Sequence, residues 1–317
     1  MTEGEWQIGY GMSTGMFGAF RGSAKVAAKL NADGTLVLQS AVADSGPGTA
    51  TTMVKIASDA MGLPFNKVRF ELGDSSLPPG PTQGGSSTTA TLGAAVSNVC
   101  ISLKKKLAET AKGLKASGNE VSMEELHFQN GKMVLKTDAS KKISYADAMK
   151  AANLSFIELS DEAGRNAEIQ KYSSYSYSVH FVKMKVHPLT GVIKIDRVVT
   201  AADAGTIVTE KQAANQMKGG VVGGIGMALM EEGFIDHRYG RWVNNNFADY
   251  HVPVHADVPN IEVLFVNKPD PVLNPVGSKG MGEIALIGFA AAVANAVYHA
   301  TGKRIRDLPI TPDRVLL

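Results

Sequence analysis

Apolar and polar positions along the chain fall into runs that repeat. Residues 23–30 and 35–43 are two apolar-rich runs around Asn31-Ala32-Asp33-Gly34, and the Asp-Gly pair predicts a β-hairpin. After Asp44-Ser45-Gly46-Pro47-Gly48, residues 49–61 predict a helix stopped by Gly62, and residues 67–73 a returning strand. A Pro/Gly loop then reaches Gln83-Gly84-Gly85-Ser86-Ser87-Thr88-Thr89, where a second helix is expected to run to about Gly113.

The second half repeats this order. Residues 175–186 and 192–202 predict strands joined by His187-Pro188-Leu189-Thr190-Gly191, ending at Asp203-Ala204-Gly205; residues 211–232 predict a helix and 261–266 a strand. The set closes on Asn274-Pro275-Val276-Gly277-Ser278-Lys279-Gly280-Met281-Gly282-Glu283, which is expected to open directly into a helix through Val297. Both halves read hairpin, Asp-x-Gly turn, helix, strand, glycine-rich loop, helix. The prediction is an α+β fold of two-layer mixed β-sheets with helices, internally duplicated.

Residues 1–116 form the first half and 171–317 the second, which carries Glu283. Residues 117–170 between them read as a connector or insertion, with an Asn130-Gly131 hairpin and a short helix started by Ser144 as N-cap. Residues 1–22 are too rich in glycine and methionine to show a period, and read as an irregular entry.

Composition narrows the classes. At 317 residues, 44% hydrophobic and 20% charged, the chain can bury a sizeable core. Lys+Arg 32 against Asp+Glu 30 leaves a formal charge of +2, so nothing calls for nucleic acid or an anionic membrane. The basic cluster Lys104-Lys105-Lys106, with Lys112 and Lys115, reads as a solvated helix face. Cys100 is the only cysteine, which excludes internal disulfides and iron–sulfur clusters held by this chain. The histidines are scattered without metal-ligand spacing, and each reads as structural or exposed; no protein-held metal is expected. No signal pattern or membrane-length apolar run is visible, so a cytoplasmic location is expected unless a partner carries the chain outward.

Candidate chemistry lies in the glycine loops. Pro275, Gly277, Gly280 and Gly282 allow close backbone approach to a ligand, and amides at a helix start can donate to an oxyanion or phosphate. Alone, Glu283 reads more economically as an acid suited to a helix start. The density of glycine and proline, followed by a helix too apolar for the surface, points instead to a ligand loop. Gly46-Pro47-Gly48 and Gly85-Ser86-Ser87-Thr88-Thr89 are its counterparts in the first half.

Gly219-Gly220-Val221-Val222-Gly223-Gly224-Ile225-Gly226-Met227-Ala228-Leu229, preceded by Asn215-Gln216 and followed by Glu231-Glu232, is similar to the large-subunit pattern of the xanthine dehydrogenase/aldehyde oxidase family of molybdenum hydroxylases. Gly280-Met281-Gly282-Glu283 resembles that family's catalytic motif, and residues 303–312 resemble its C-terminal signature. With Trp242 and Tyr250-His251-Val252-Pro253, the resemblance is greatest to bacterial aldehyde oxidoreductases that use molybdopterin cytosine dinucleotide.

The resemblance implies the second molybdenum-cofactor-binding domain of a large subunit. It makes Glu283 the catalytic base, with Gly280, Met281 and Gly282 beside the cofactor and Gln216 as a hydrogen-bonding partner to it. Gly85, Ser86, Ser87, Thr88 and Thr89 would hold the pterin–pyrophosphate part, and Gly46, Pro47 and Gly48 would approach the molybdenum ligands. Pro47 departs from the polar residue that relatives often place there, and it has no amide hydrogen to donate. The implied reaction is oxidation of a small aldehyde to a carboxylic acid with water as oxygen source. Implied partners are a preceding domain of comparable size, which supplies the other wall of the pocket, and iron–sulfur and FAD subunits that take the electrons. The competing reading is a non-catalytic cofactor- or nucleotide-binding module that needs a partner domain.

Overall fold

The glycine-rich start of the chain is extended, contrary to the irregular entry expected. In the computed structural model, which describes residues 1–111, 114, 121–164 and 168–316, Thr2–Glu3 (β1) and Trp6–Gly18 (β2) are strands. The hairpin β3 (Ala24–Asn31) and β4 (Leu36–Gln39) follows, then helix α1 (Thr49–Met61), β5 (Val68–Glu71) and helix α2 (Thr88–Thr110). Lys112, Gly113 and Lys115 lie outside the described residues. Three short strands come next: β6 (Leu126–Gln129), β7 (Lys132–Leu135) and β8 (Asp138–Ser144). They lead to helix α3 (Tyr145–Ala151) and β9 (Phe156–Ala163). The second half holds β10 (Tyr175–Val186), β11 (Ile193–Asp203) and helix α4 (Glu210–Leu229). It continues with β12 (Ile235–Asp236), β13 (Arg241–Trp242), β14 (Asn260–Phe265), and helices α5 (Phe289–Thr301) and α6 (Pro312–Leu316).

These elements make two compact units, each discontinuous in sequence. Unit 1 is Met1–Gly18, Tyr175–Lys268 and Gly280–Leu317; unit 2 is Ala19–Ser174 and Pro269–Lys279. The spans 1–116, 117–170 and 171–317 follow the order of the repeat, whereas compactness divides the chain otherwise. The duplication is plain in the sheets. Unit 2 orders its strands β5-β4-β3-β9 and unit 1 orders them β1-β2-β10-β11-β14. In each, an antiparallel hairpin leads through a helix to a strand parallel to the hairpin's second arm, β4 with β5 and β11 with β14. The strand completing each hairpin comes from elsewhere in the chain: β2 precedes β3 yet pairs with β10, and β9 precedes β10 yet pairs with β3. β9 is thus a sheet strand of unit 2, although it falls in the stretch expected to be a connector.

In unit 1, α5 rests on the glycine face of β2. A Cβ on Gly9 would lie 2.0 Å from the Ala296 carbonyl oxygen, and one on Gly11 would lie 2.0 Å from that of Ala292. α4 and α5 close a core of Val182, Met184, Val198, Met217, Ile225 and Phe289 on the same side of the sheet. In unit 2, α2 packs on β3 and β9 while α1 packs on α2 and β5. Leu30, Leu36, Leu38, Met53, Leu92, Val99 and Leu103 are fully buried there. Cys100 lies among them, and burial pushes its thiol pKa up to about 12. The β6–β7 hairpin and α3 are tied into this unit: Gly131 N–H donates to the Gly62 carbonyl at 2.9 Å and Tyr145 Oη–H to that of Met61. Ser144 caps α3 as its sequence predicts, accepting from the Asp147 amide.

Candidate functional site

In unit 2, the turn ahead of α1 is folded around Asp44. Its Oδ1 accepts from the amides of Gly46 (3.0 Å) and Gly48 (3.3 Å), and its Oδ2 from that of Thr49 (2.8 Å). Pro47 is the one residue of this turn with no hydrogen to give. The amides of Gly46 and Gly48 are therefore already used, so what this turn offers a ligand is the open backbone at Gly46, where a Cβ would meet nothing within 4 Å.

Gln83 joins that turn to the second glycine loop. Its Oε1 accepts from the Ser45 amide and its Nε2 donates to Thr49 Oγ1 at 2.9 Å, which brings residues 46–48 and 85–89 into one neighbourhood. Gln83 and Asp44 had no assigned role in the sequence; a side chain with both donor and acceptor at the mouth of a glycine loop, and an Asp two residues before a glycine, were the available signals. Gly85 and Ser86 both adopt positive φ, 58° and 55°. Ser87 turns its hydroxyl back on the Gly84 carbonyl at 3.1 Å, so no side chain caps α2. The Thr88 and Thr89 hydroxyls make no hydrogen bond among the described residues. Unlike the first turn, this one presents neutral donors at the start of a 23-residue helix, a donor set that fits a phosphate-bearing group.

Unit 1 holds the remaining candidates. Gly280 is buried, Met281 half-buried, and Gly282 and Glu283 are exposed, with Ile284 and Ala285 fully buried immediately after. The expected helix does not start here. Residues 282–288 are successive turns, closed by Ile284 N–H to Met281 O (3.3 Å), Leu286 N–H to Glu283 O (3.1 Å) and Phe289 N–H to Leu286 O (3.4 Å). α5 begins only at Phe289, so Glu283 is not a first-turn acid, and the helix-start reading of it fails.

Beneath those turns three side chains of the sheet hold three carbonyls. Ser178 Oγ donates to Ile284 O at 3.1 Å, Ser13 Oγ donates to Gly288 O at 2.6 Å, and His180 Nε2 lies 3.0 Å from Ile287 O. Gln216 is half-buried on α4, one turn before Gly220, whose bare Cα faces Ala285. Its side chain makes no hydrogen bond among the described residues. A cleft of about 1030 Å³ beside the β12–β13 hairpin, lined by residues that include His237, Arg238, Arg241 and Trp242, contains none of the expected site residues.

The duplicated α+β frame carries a donor-lined helix start in one unit and the turns that bear Glu283 in the other. The family model described as the molybdopterin cofactor-binding domain matches residues 1–259, and the chain belongs to that family. It is 35% identical over 314 residues to the aldehyde oxidoreductase molybdenum-binding subunit PaoC of Escherichia coli (strain K12), covering 99% of this chain and 41% of that protein. It is 30% identical over 321 residues to the nicotine 6-hydroxylase large subunit of Paenarthrobacter nicotinovorans, covering 96% of this chain and 38% of that one. Among solved structures, quinoline 2-oxidoreductase from Pseudomonas putida 86 has the same fold, with TM-score 0.87, 22% identity, and coverage of 98% of this chain and 42% of that chain. The chain therefore spans well under half the length of the relatives it matches.

Proposed function

We propose that this chain is the cofactor-binding and base-supplying part of a molybdenum hydroxylase that oxidises aldehydes to carboxylic acids with water as the oxygen source. The observation that carries the reading is Glu283: one exposed carboxylate on a run of tight turns, pinned by buried Ile284 and Ala285. When bound, the cofactor supplies the two-electron oxidant. The chain's own residues bind and move a proton. Oxidising an aldehyde with water releases two electrons and three protons with the carboxylate, and Glu283 Oε receives the proton lost as the water oxygen becomes a nucleophile. The α2 amides and the Ser86, Thr88 and Thr89 hydroxyls hold the phosphate-bearing part of the cofactor, and Gln216 donates to or accepts from its polar edge.

In unit 1, Gly280, Met281 and Gly282 let the backbone beside Glu283 come close to the cofactor; in unit 2, Gly46, Pro47 and Gly48 offer open backbone to it in the turn that Asp44 locks. The cytosine dinucleotide form of molybdopterin is the cofactor we infer, from the resemblance carried by residues 215–232, 280–283 and 303–312. Electrons leave through iron–sulfur and FAD subunits. A preceding domain completes the pocket; the helix-free face of unit 1's sheet, opposite the side that holds the Glu283 turns, is a separate surface for a partner to cover. There Tyr177 pairs with Met16 and Phe181 with Met12, and all four side chains stand about half exposed.

The test is Glu283→Gln in an assembly that includes that domain. Glutamine keeps size and some hydrogen bonding but takes up no proton. Molybdenum loading should survive while single-turnover reduction by an aromatic aldehyde falls roughly 10²–10⁴-fold. An exposed acid without a catalytic role changes stability by only about 0.5 kcal/mol and leaves the rate alone. Near-normal reduction by the loaded variant would remove Glu283 from the chemistry and favour a module that only binds the cofactor.

A further inference from the structure

The turns after Glu283 are not helical, so the Ile284 and Ile287 carbonyls find no amide four residues ahead, while Gly288 O already accepts from the Ala292 amide at 3.2 Å as α5 begins. The sheet supplies the missing partners, and it does so with one connected row. Ile287 O can only accept, so His180 Nε2 carries a ring hydrogen, and in the neutral ring Nδ1 is then bare. Thr200 Oγ1, 2.9 Å from Nδ1, then donates to it, and Ser178 Oγ, 3.1 Å from Nε2, shares the Nε2 hydrogen while giving its own to Ile284 O. Every partner is satisfied in the neutral tautomer. His180 and Thr200 are fully buried and Ser178 is 1% exposed. Burial lowers the His180 pKa. Ser13, Ser178 and Thr200, with Phe289 edge-on at 5.6 Å, surround the ring with uncharged groups.

Position along β10 argues that this row is not ordinary core. The inward residues of the strand are Ser176, Ser178, His180, Val182, Met184 and Val186, all buried. The apolar half packs into the hydrophobic core, and Ser178 and His180 meet the turns that carry Glu283. Close approach is enforced: a Cβ on Gly15 would lie 2.4 Å from Ile287 O and 2.5 Å from Ser178 Oγ. An apolar strand would serve burial at least as well, because buried polar groups add little net stability over a shape-matched apolar replacement. What the polar row adds is direction, since hydrogen bonds fix where the carbonyls of Ile284, Ile287 and Gly288 lie.

We propose that the Ser178–His180–Thr200 row, with Ser13, is the positioning device for the Glu283 carboxylate, with His180 as its central positioning residue. The proposal rests on the reading of Glu283 as the base. It predicts that His180→Leu, which keeps apolar volume but gives Ile287 O no donor, loosens the turns selectively. In the 317-residue chain, without cofactor, peptides spanning residues 282–289 should exchange amide hydrogens about tenfold faster than in wild type, with β11 and α4 unchanged. In the loaded assembly kcat should fall about ten- to a hundredfold at unchanged KM and molybdenum content, as small misplacements of a catalytic group do. His180→Gln, which restores a donor, should recover most of both effects.

The pair with Glu283→Gln separates this proposal from the one beneath it. If the row acts through Glu283, adding His180→Leu to Glu283→Gln costs no further rate. If Glu283→Gln alone keeps its rate, the base reading has failed whatever His180 does. If Glu283→Gln is dead and His180→Leu is as fast as wild type, the positioning proposal is wrong and the base reading stands. Faster exchange throughout unit 1 with proportionate loss of molybdenum would show a merely structural histidine and also overturn it. Should His180→Leu not fold, Ser178→Ala removes one hydroxyl from the same row and is held to the same segment-specific exchange and kcat result.

Discussion

At the scale of single residues, a hydrogen in place of a methyl group decides whether α5 can lie on β2. Gly11 sits under the helix with backbone atoms above it: an added Cβ would stand 2.0 Å from Ala292 O and 2.4 Å from Ala296 N. Neither atom belongs to a flexible side chain, so Gly11→Ala must push the helix away and open the core around Phe289 and Val293. Overpacking of this kind typically costs about 1–3 kcal/mol, which urea unfolding of the chain should register as a lowered midpoint; an unmoved midpoint would mean that α5 does not press on β2 as described. The same glycines explain why residues 1–22 were illegible. A strand read from sequence needs alternating apolar and polar side chains, and β2 puts Gly9, Gly11 and Gly15 where apolar residues would have signalled it. Asp44 was hidden differently, because a carboxylate beside glycines reads as a turn former whether or not it captures the amides a ligand would need.

Elements were easier to read than their pairings. The Asp33-Gly34 hairpin, the helix ending at Gly62 and the returning strands β5 and β14 follow from turn chemistry and local periodicity, as does the repeat itself, whereas the parallel pairing of those strands does not. The exchange of β2 and β9 was not legible, since partners that far apart along the chain leave no local mark. Residues 284–288 misled for a physical reason. Their apolar character suits a buried helix, but Gly288 turns left-handed at φ 82°, and His180 and Ser178 take carbonyls that a helix would have used internally. The start of α2 is the opposite case, a real helix terminus with no side-chain cap. Its role is tested by a Ser86/Thr88/Thr89 triple alanine in the complete assembly. Lost hydroxyl donors weaken anion binding at about 0.5–1.5 kcal/mol each, so molybdenum content should drop severalfold or more while turnover per bound molybdenum changes little. Full molybdenum content with lost turnover would move this loop from holding the cofactor to the chemistry.

For the whole molecule the decisive quantity is how much of the cofactor's surroundings this chain can supply. It matches its Escherichia coli relative over only 41% of that protein's length, so the α2 start and Glu283, proposed to meet the cofactor, are part of the cofactor's surroundings. A ligand held by one wall of a pocket loses contacts and gains solvent on its open side, and small-molecule sites usually bury roughly 70–90% of their ligand. The helix-free face of unit 1's sheet, opposite the Glu283 turns, is a separate place for a partner: Tyr10, Met12, Met16, Tyr177, Phe181 and Leu264 stand 47–55% exposed across β2, β10 and β14. Together they offer roughly 600 Å² of apolar surface, at the upper end of what a lone soluble domain usually leaves uncovered. The expected outcome is that the isolated 317-residue chain folds but retains no stable molybdenum cofactor, and that adding the partner domain restores retention and covers this face. Metal analysis and nucleotide release after acid treatment measure the first part. Protection of Tyr177 and Phe181 from hydroxyl-radical labelling measures the second. Near-equimolar molybdenum and cytidine nucleotide in the chain purified alone would show that one wall suffices, and the need for a second domain would have to be given up.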